Sequence, residues 1–114
     1  MAESNVELAE AYYRSFAAKD VESLGRRLHP EARVITPLGE SVGREAVLEA
    51  AKRLFPALRR IDVRARFGDG DQVALIYDMV GDPWTARTAA LMTFRDGLLV
   101  RSELFLDPRP FERR

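Results

Sequence analysis

Apolar residues recur at helical spacing through much of the first half of the chain, and this pattern predicts three helices. The first begins at a capping box, with Ser4 at the cap and a glutamate three residues later. Asp20 can cap a short second helix, which ends before Pro30 because the residue preceding a proline avoids the helical conformation. A third helix starts at Gly43, and Pro56 ends or bends it because proline lacks a backbone N–H.

The pattern changes to period two in the second half of the chain, which predicts β-strands. A short strand is expected at residues 32–36, before the third helix, and four more at residues 60–67, 72–80, 84–95 and 98–106. In the strand at 60–67, Ile61, Val63, Ala65 and Phe67 are expected on one face, and Arg60, Asp62, Arg64 and Arg66 on the other. Asp96–Gly97 predicts a tight hairpin turn.

This order of elements predicts an α+β fold, in which three N-terminal helices pack on one face of a curved antiparallel sheet. We interpret residues 1–114 as a single domain, with Asp107–Pro108 ending the ordered chain. The other face of the sheet is expected to be apolar as well, through Leu75, Tyr77, Met79, Leu91 and Phe105. Because a monomer rarely exposes a patch of this kind, a second copy is expected to cover it and form a homodimer.

Composition narrows the function further. The 18 basic and 18 acidic side chains balance, so no net field favours nucleic acid or an anionic membrane as a partner. No cysteine is present, which excludes thiolate chemistry, and a lone histidine argues against a His-rich metal site or a Ser-His-Asp triad. No apolar run has the length of a membrane span and no signal-peptide pattern is seen, so a cytoplasmic protein without metal or cofactor is expected.

Several motifs then resemble the SnoaL-like group of the nuclear transport factor two-like superfamily. They are Tyr12–Asp20, His29–Ala32, Thr36–Gly39, Ala74–Asp78, Phe94–Gly97 and Phe105–Pro108. The resemblance covers nearly the whole chain and implies a cone, in which the helices and the concave sheet enclose one mostly apolar pocket. It implies less about function, because this fold carries isomerases, cyclases, hydrolases, dehydratases and non-enzymes.

Comparison with the enzymes of this fold leaves an incomplete catalytic set. Tyr12 matches the helix tyrosine of ketosteroid isomerases, whereas Thr36 stands at the position of their base and Met92 at that of their oxyanion-binding aspartate. Asp78 matches one aspartate of limonene-epoxide hydrolases. Leu104 stands where those enzymes have a second aspartate and where SnoaL-type cyclases have their acid/base.

Asp78 is the strongest candidate for chemistry, because it is the one carboxylate in an otherwise apolar strand. If it points into the cone, desolvation raises its pKa and it can act as a general acid or base. The alternative is an ion pair with an arginine such as Arg87 or Arg101.

Tyr12 can donate a hydrogen bond to a ligand oxygen, or it can pack in the core with its hydroxyl bonded to a backbone carbonyl. Tyr13 is expected to face elsewhere.

The expected pocket wall consists of Phe16, Leu28, Val34, Thr36, Trp84, Ala90, Met92, Phe94 and Leu104. Two classes of function follow from this pocket. The first is a cofactor-free isomerase, cyclase or epoxide hydrolase that acts on an apolar cyclic molecule through Asp78 and Tyr12. The alternative is a non-catalytic dimeric domain that binds a hydrophobic ligand, which the missing carboxylates favour.

Overall fold

The protein folds into three α-helices and a six-stranded sheet, as described by a computed structural model over residues 4–111. The helices are α1 (Asn5–Ala17), α2 (Val21–Arg27) and α3 (Arg44–Leu54). The strands are β1 (Leu28–Thr36), β2 (Gly39–Val42), β3 (Leu58–Asp69), β4 (Gln72–Gly81), β5 (Thr85–Arg95) and β6 (Leu98–Phe105). Short 3-10 turns follow α3, at Phe55–Ala57, and β6, at Arg109–Phe111.

The predicted helix starts are confirmed by their caps. The Ser4 hydroxyl accepts a hydrogen bond from the Glu7 N–H at 3.1 Å, and the Glu7 carboxylate accepts one from the Ser4 N–H at 2.9 Å. These two bonds complete the capping box of α1. Asp20 caps α2 by accepting from the Ser23 N–H at 3.1 Å. Because α1 is fixed at its start, its aromatic face is held against the sheet.

The sheet is mixed rather than antiparallel, in the order β2-β1-β6-β5-β4-β3. Three hairpins join β3 to β6 in succession, and β1 then pairs with β6 in parallel. The sequence prediction of an antiparallel sheet is therefore wrong at this one pairing, and it also missed β2. Because β2 folds back on one edge of β1, only the opposite edge of β1 remains for β6.

A bulge in β3 changes which residues of that strand face the helices. The register shifts between Val63 and Ala65, so the alternation of faces reverses at this point. Val63 packs against the core, whereas Phe67 faces away from the helices and is 64% exposed. Arg66 consequently turns inward and forms an ion pair with Glu10 of α1. The prediction of a single apolar face along β3 is therefore wrong beyond the bulge.

Strand β4 faces the opposite way from the prediction. Leu75, Tyr77 and Met79 were expected away from the helices, but they are 0%, 0% and 4% exposed and belong to the core under the helices. Both faces of this strand are apolar in sequence, so periodicity alone does not decide which one is buried. Asp78, which alternates with these residues, lies on the other face.

The face of the sheet turned away from the helices, here called the outer face, still exposes large apolar side chains. Leu91 and Phe105 lie there, as predicted, and are 37% and 52% exposed. Phe67 joins them, because β3, β4 and β5 place Phe67, Ala74 and Leu91 in one row. Phe67, Leu91 and Phe105 are called the outer patch below.

The chain after β6 folds back on the domain instead of ending its order at Asp107–Pro108. Asp107 accepts a hydrogen bond from the Arg109 N–H at 3.0 Å, which closes a turn. Hydrogen bonds from the Arg109 side chain and backbone lower the pKa of Asp107 to about 2. This turn brings the Phe111 ring edge-on to Trp84, with the ring centroids 4.8 Å apart.

Candidate functional site

A cavity of about 510 Å³ lies between the helices and the concave face of the sheet. Most of its wall is apolar and includes Phe16, Val47, Ala51, Leu54, Met79 and Phe111. Its mouth is formed by the exposed lining residues Leu38, Gly39, Glu40 and Arg53. A volume of this size suits a small organic molecule, because ligand pockets commonly span about 300–1,000 Å³.

The cavity brings together only part of the predicted pocket wall. Phe16, Val34, Thr36 and Leu104 line it. Leu28, Ala90, Met92 and Phe94 instead lie in the packed core, at 5% exposure or less, and do not reach the open space. Trp84 also lies outside the lining, against Phe111. Side-chain packing fills this part of the concave face, and strand alternation alone does not indicate where packing ends and open space begins.

Three tyrosines form the most polar part of the buried cavity wall. The Tyr77 hydroxyl donates a hydrogen bond to the Tyr13 hydroxyl at 3.0 Å, and the two ring centroids are 4.5 Å apart. Tyr12 packs edge-on against Tyr13, and both line the cavity. The expectation that Tyr13 faces elsewhere is wrong. Because α1 sits within the concave sheet, it buries a wider face than one apolar stripe.

These tyrosines are hydrogen-bond donors at neutral pH rather than bases. Burial raises the pKa of Tyr12 far above its ordinary value, with a smaller contribution from Tyr13. Burial and the neighbouring Tyr77 likewise raise the pKa of Tyr13. Burial also raises the pKa of Tyr77, although its hydrogen bond with Tyr13 opposes the shift. All three hydroxyls therefore keep their protons.

Ser102 is a functional candidate that sequence reasoning missed. It is 2% exposed and lines the cavity, and a weak hydrogen-bonding interaction of its side chain with Tyr13 opposes the rise in the pKa of that tyrosine. Its buried hydroxyl nevertheless has no hydrogen-bond partner of good geometry within residues 4–111. Leaving a buried hydroxyl unbonded costs about 1–3 kcal/mol. The residue lines the cavity while the oxygen itself is covered by neighbouring atoms, so a ligand that bonds this hydroxyl has to displace part of that cover.

Asp78 lies outside the cavity, on the outer face of the sheet. Its carboxylate accepts hydrogen bonds from Arg87 at 2.9 Å and from Arg64 at 3.0 Å. The two arginine side chains are 66% and 51% exposed and cover the carboxylate, whose own side chain is 13% exposed. The hydrogen bond from Arg87 is the largest cause of a lowered pKa at Asp78. The expectation of a desolvated acid pointing into the cone is wrong, and the alternative of an ion pair with Arg87 is confirmed.

The cavity is therefore rich in neutral donors and poor in acids and bases. Among the described residues that line it, Glu40 is the one carboxylate, and that side chain pairs with Arg33 at 2.7 Å. His29 is not part of the lining, and its Nδ1 accepts from the Glu31 N–H at 3.0 Å. Within residues 4–111, no group of three acidic or histidine side chains could hold a metal ion. In the same residues, no helix is long and apolar enough to cross a bilayer.

A family model described as the SnoaL-like domain matches residues 9–102. The chain belongs to the SnoaL-like family. No curated protein of known function matches this SnoaL-like chain in sequence. The match runs from within α1 to within β6 and includes the three tyrosines and Ser102.

Solved structures resemble this SnoaL-like protein over nearly its whole length. An NTF2-like protein from Cytophaga hutchinsonii is 21% identical, with a TM-score of 0.86 and 98% of each chain covered. A candidate polyketide cyclase from Sinorhizobium meliloti is 19% identical, with a TM-score of 0.80 over 87% of this chain and 94% of that one. TerC, crystallised with polyporic acid, is 24% identical, with a TM-score of 0.78 and 94% of each chain covered. At these identities the likeness shows the shared fold.

Proposed function

We propose that this SnoaL-like protein binds an apolar cyclic molecule in the cavity, and that Tyr13 and Ser102 bond an oxygen of that molecule. The observation that carries the proposal is the unbonded, buried Ser102 hydroxyl beside Tyr13 at the cavity wall. An apolar ligand that presents a carbonyl oxygen satisfies this hydroxyl and removes the cost of leaving it unbonded.

The direction of the hydrogen bond between Tyr77 and Tyr13 also supports a ligand oxygen beside Tyr13. Because Tyr77 donates to Tyr13, the Tyr13 hydroxyl keeps its own proton for a further acceptor. Tyr12 forms ring contacts with Tyr13 and Phe16, but its hydroxyl makes no hydrogen bond within residues 4–111, so it is a further donor for the ligand. The apolar wall supplies the remaining contact area, as in most small-molecule sites.

Cofactor-free isomerisation, cyclisation or epoxide opening is the second candidate. Donors that keep their protons in a mostly apolar cavity can stabilise negative charge on a reacting oxygen, which favours this class. The similarity to a candidate polyketide cyclase points in the same direction. Asp78 lies on the outer face of the sheet, whereas Glu40 lines the cavity, so Glu40 is the better placed proton acceptor for such a reaction even though it is paired with Arg33.

A thermal-shift screen tests the binding proposal. Steroid ketones, terpenoid ketones, aromatic polyketides and polyporic acid are added to the purified protein at rising concentration. A ligand at about 100 times its Kd stabilises the native state by about 2.7 kcal/mol, which corresponds to a rise of about 10 °C for a chain of this size. The Tyr13→Phe variant is expected to lose much of this shift, and Thr88→Val, at a buried hydroxyl outside the cavity lining, to keep it.

Two outcomes would overturn the proposal. One is that no compound of these classes raises the melting temperature. The other is that the binders act equally on the wild-type protein and on Tyr13→Phe. For any compound that binds, product analysis by mass spectrometry or NMR then separates the two candidates, since chemical conversion of the bound compound favours the enzyme and binding without conversion favours the binding domain.

A second copy of the chain is proposed to cover the outer face. The outer patch of Phe67, Leu91 and Phe105 gives this face apolar area, and the Asp78 carboxylate is paired there with Arg64 and Arg87. A two-fold arrangement would bring the same patch of each copy together, as in most homodimers. The oligomeric state in solution tests this part of the proposal.

A further inference from the structure

Arg53 places a positive charge at the mouth of the cavity. It lies in the last turn of α3, is exposed, and lines the same cavity as Tyr13 and Ser102. Most of the remaining lining is apolar or carries neutral hydroxyls. A cation at one end of an apolar cavity, with hydroxyl donors in its buried wall, has the charge pattern of a site for an amphipathic anion.

Glu40 at this mouth and Glu49 in the same helix as Arg53 are both paired with other cations. Glu40, across the mouth, pairs with Arg33 at 2.7 Å. Glu49, one turn earlier in α3, pairs with Lys52 at 2.8 Å, and Lys52 is the main cause of its lowered pKa, with a smaller contribution from Arg53. Within residues 4–111, Arg53 itself forms no ion pair. Its charge is therefore available to a ligand.

From this arrangement we infer that the ligand is an aromatic or alicyclic acid, whose carboxylate pairs with Arg53 while its ring system and carbonyl lie against Tyr13 and Ser102. The inference rests on the proposed function and specifies the substrate class for that same site. The planar guanidinium of arginine has two parallel N–H donors that match a carboxylate, which gives the mouth a preference for this anion over a neutral polar group.

Two probes with the same ring system and ketone but different charge test the inference. 4-Benzoylbenzoic acid has two rings, a ketone for the buried donors and a carboxylate for the mouth, and in its methyl ester the carboxylate is replaced by a neutral ester group. NMR titration of the labelled protein gives both dissociation constants. The acid is expected to bind about twofold to fivefold more tightly than the ester, the range for an exposed ion pair. The ratio should fall as NaCl is raised, because salt screens exposed charges.

Variants test whether Arg53 causes the preference for the acid over the ester. Arg53→Gln is expected to reduce the acid-to-ester ratio to about one, whereas Arg53→Lys should retain part of it. Arg14→Gln, on an exposed helix position outside the lining, makes the same change in net charge and should leave the ratio unaltered. Equal binding of acid and ester by the wild-type protein, or an unchanged ratio in Arg53→Gln, overturns the inference and leaves the proposed function standing. Binding of neither probe counts against both.

Discussion

The unbonded hydroxyl of Ser102 leads to a prediction that separates a binding role from a structural one. Ser102→Ala removes a buried polar atom that has no partner within residues 4–111. The unbonded hydroxyl costs about 1–3 kcal/mol, and part of this cost is offset by packing contacts of the oxygen. We therefore expect the free protein to become more stable by about 1 kcal/mol, which raises the melting temperature by about 4 °C for a chain of this size. Differential scanning calorimetry measures the change.

Thr88 offers a matched control for this substitution. It is 1% exposed, close to the 2% of Ser102, but its hydroxyl donates to the Ala86 carbonyl at 3.3 Å and lies outside the cavity lining. Thr88→Val keeps the shape of the side chain and removes a satisfied hydrogen bond. It is expected to destabilise the protein by about 1 kcal/mol. Ser102→Ala is thus expected to raise the stability of the free protein, and Thr88→Val to lower it.

For ligand binding, the substitution at Ser102 is expected to be the damaging one. Ser102→Ala should weaken binding of a ketone ligand about tenfold, since one hydrogen bond of about 1.4 kcal/mol is lost in the complex. Thr88→Val should leave the dissociation constant unchanged. Isothermal titration calorimetry at one temperature measures both. The reasoning is refuted if Ser102→Ala destabilises the free protein as Thr88→Val does, or if it binds the ligand as tightly as the wild type.

Three further predictions concern the tyrosines, the outer ion pairs and the outer patch. Tyr77→Phe removes the bond to Tyr13 and should cost about 1 kcal/mol in urea denaturation; an unchanged midpoint would contradict that bond. Arg87 and Arg64 lower the pKa of Asp78 in the folded protein. The ionised carboxylate therefore stabilises the fold above the pKa of the unfolded chain, and this stabilisation is lost below about pH 4, as the pH falls through the pKa of the folded state. Asp78→Asn should abolish this part of the pH dependence of stability, and an identical pH profile in both proteins would disprove the assignment. Phe105→Glu should halve the mass seen by light scattering if two copies meet at the outer patch, with the exposed Leu38→Glu as control; a wild-type protein that is already monomeric refutes the dimer.

Helix positions and strand number in the second half of the chain could be predicted because their signals are local. Ser4 and Asp20 are caps whose function depends on residues two or three positions away. Asp96 and Gly97 have φ angles of 53° and 78°, the left-handed values that a tight hairpin needs. The family resemblance is also confirmed, and it rests on short local motifs that are spread along the chain.

The orientation of the side chains depended on contacts that are distant in sequence. In β4 both alternating sets are apolar, and the outward set is identified by the Asp78 ion pairs with β3 and β5 and by the burial of Leu75, Tyr77 and Met79 on the other face. The bulge after Val63 reverses the faces of β3, and no residue pattern marks it. Period-two alternation from Leu104 does place Ser102 on the cavity side, so this residue could have been found from sequence.

The most direct measurement compares the dissociation constants of one ligand for Tyr13→Phe and Asp78→Asn. The ligand is the strongest binder of the thermal-shift screen, and each variant is titrated by calorimetry at pH 7 beside the wild-type protein. Our account places the ligand between the helices and the inner face of the sheet, so Tyr13→Phe should weaken binding about tenfold and Asp78→Asn should leave it unaltered. Loss of binding in Asp78→Asn with full binding in Tyr13→Phe would contradict it.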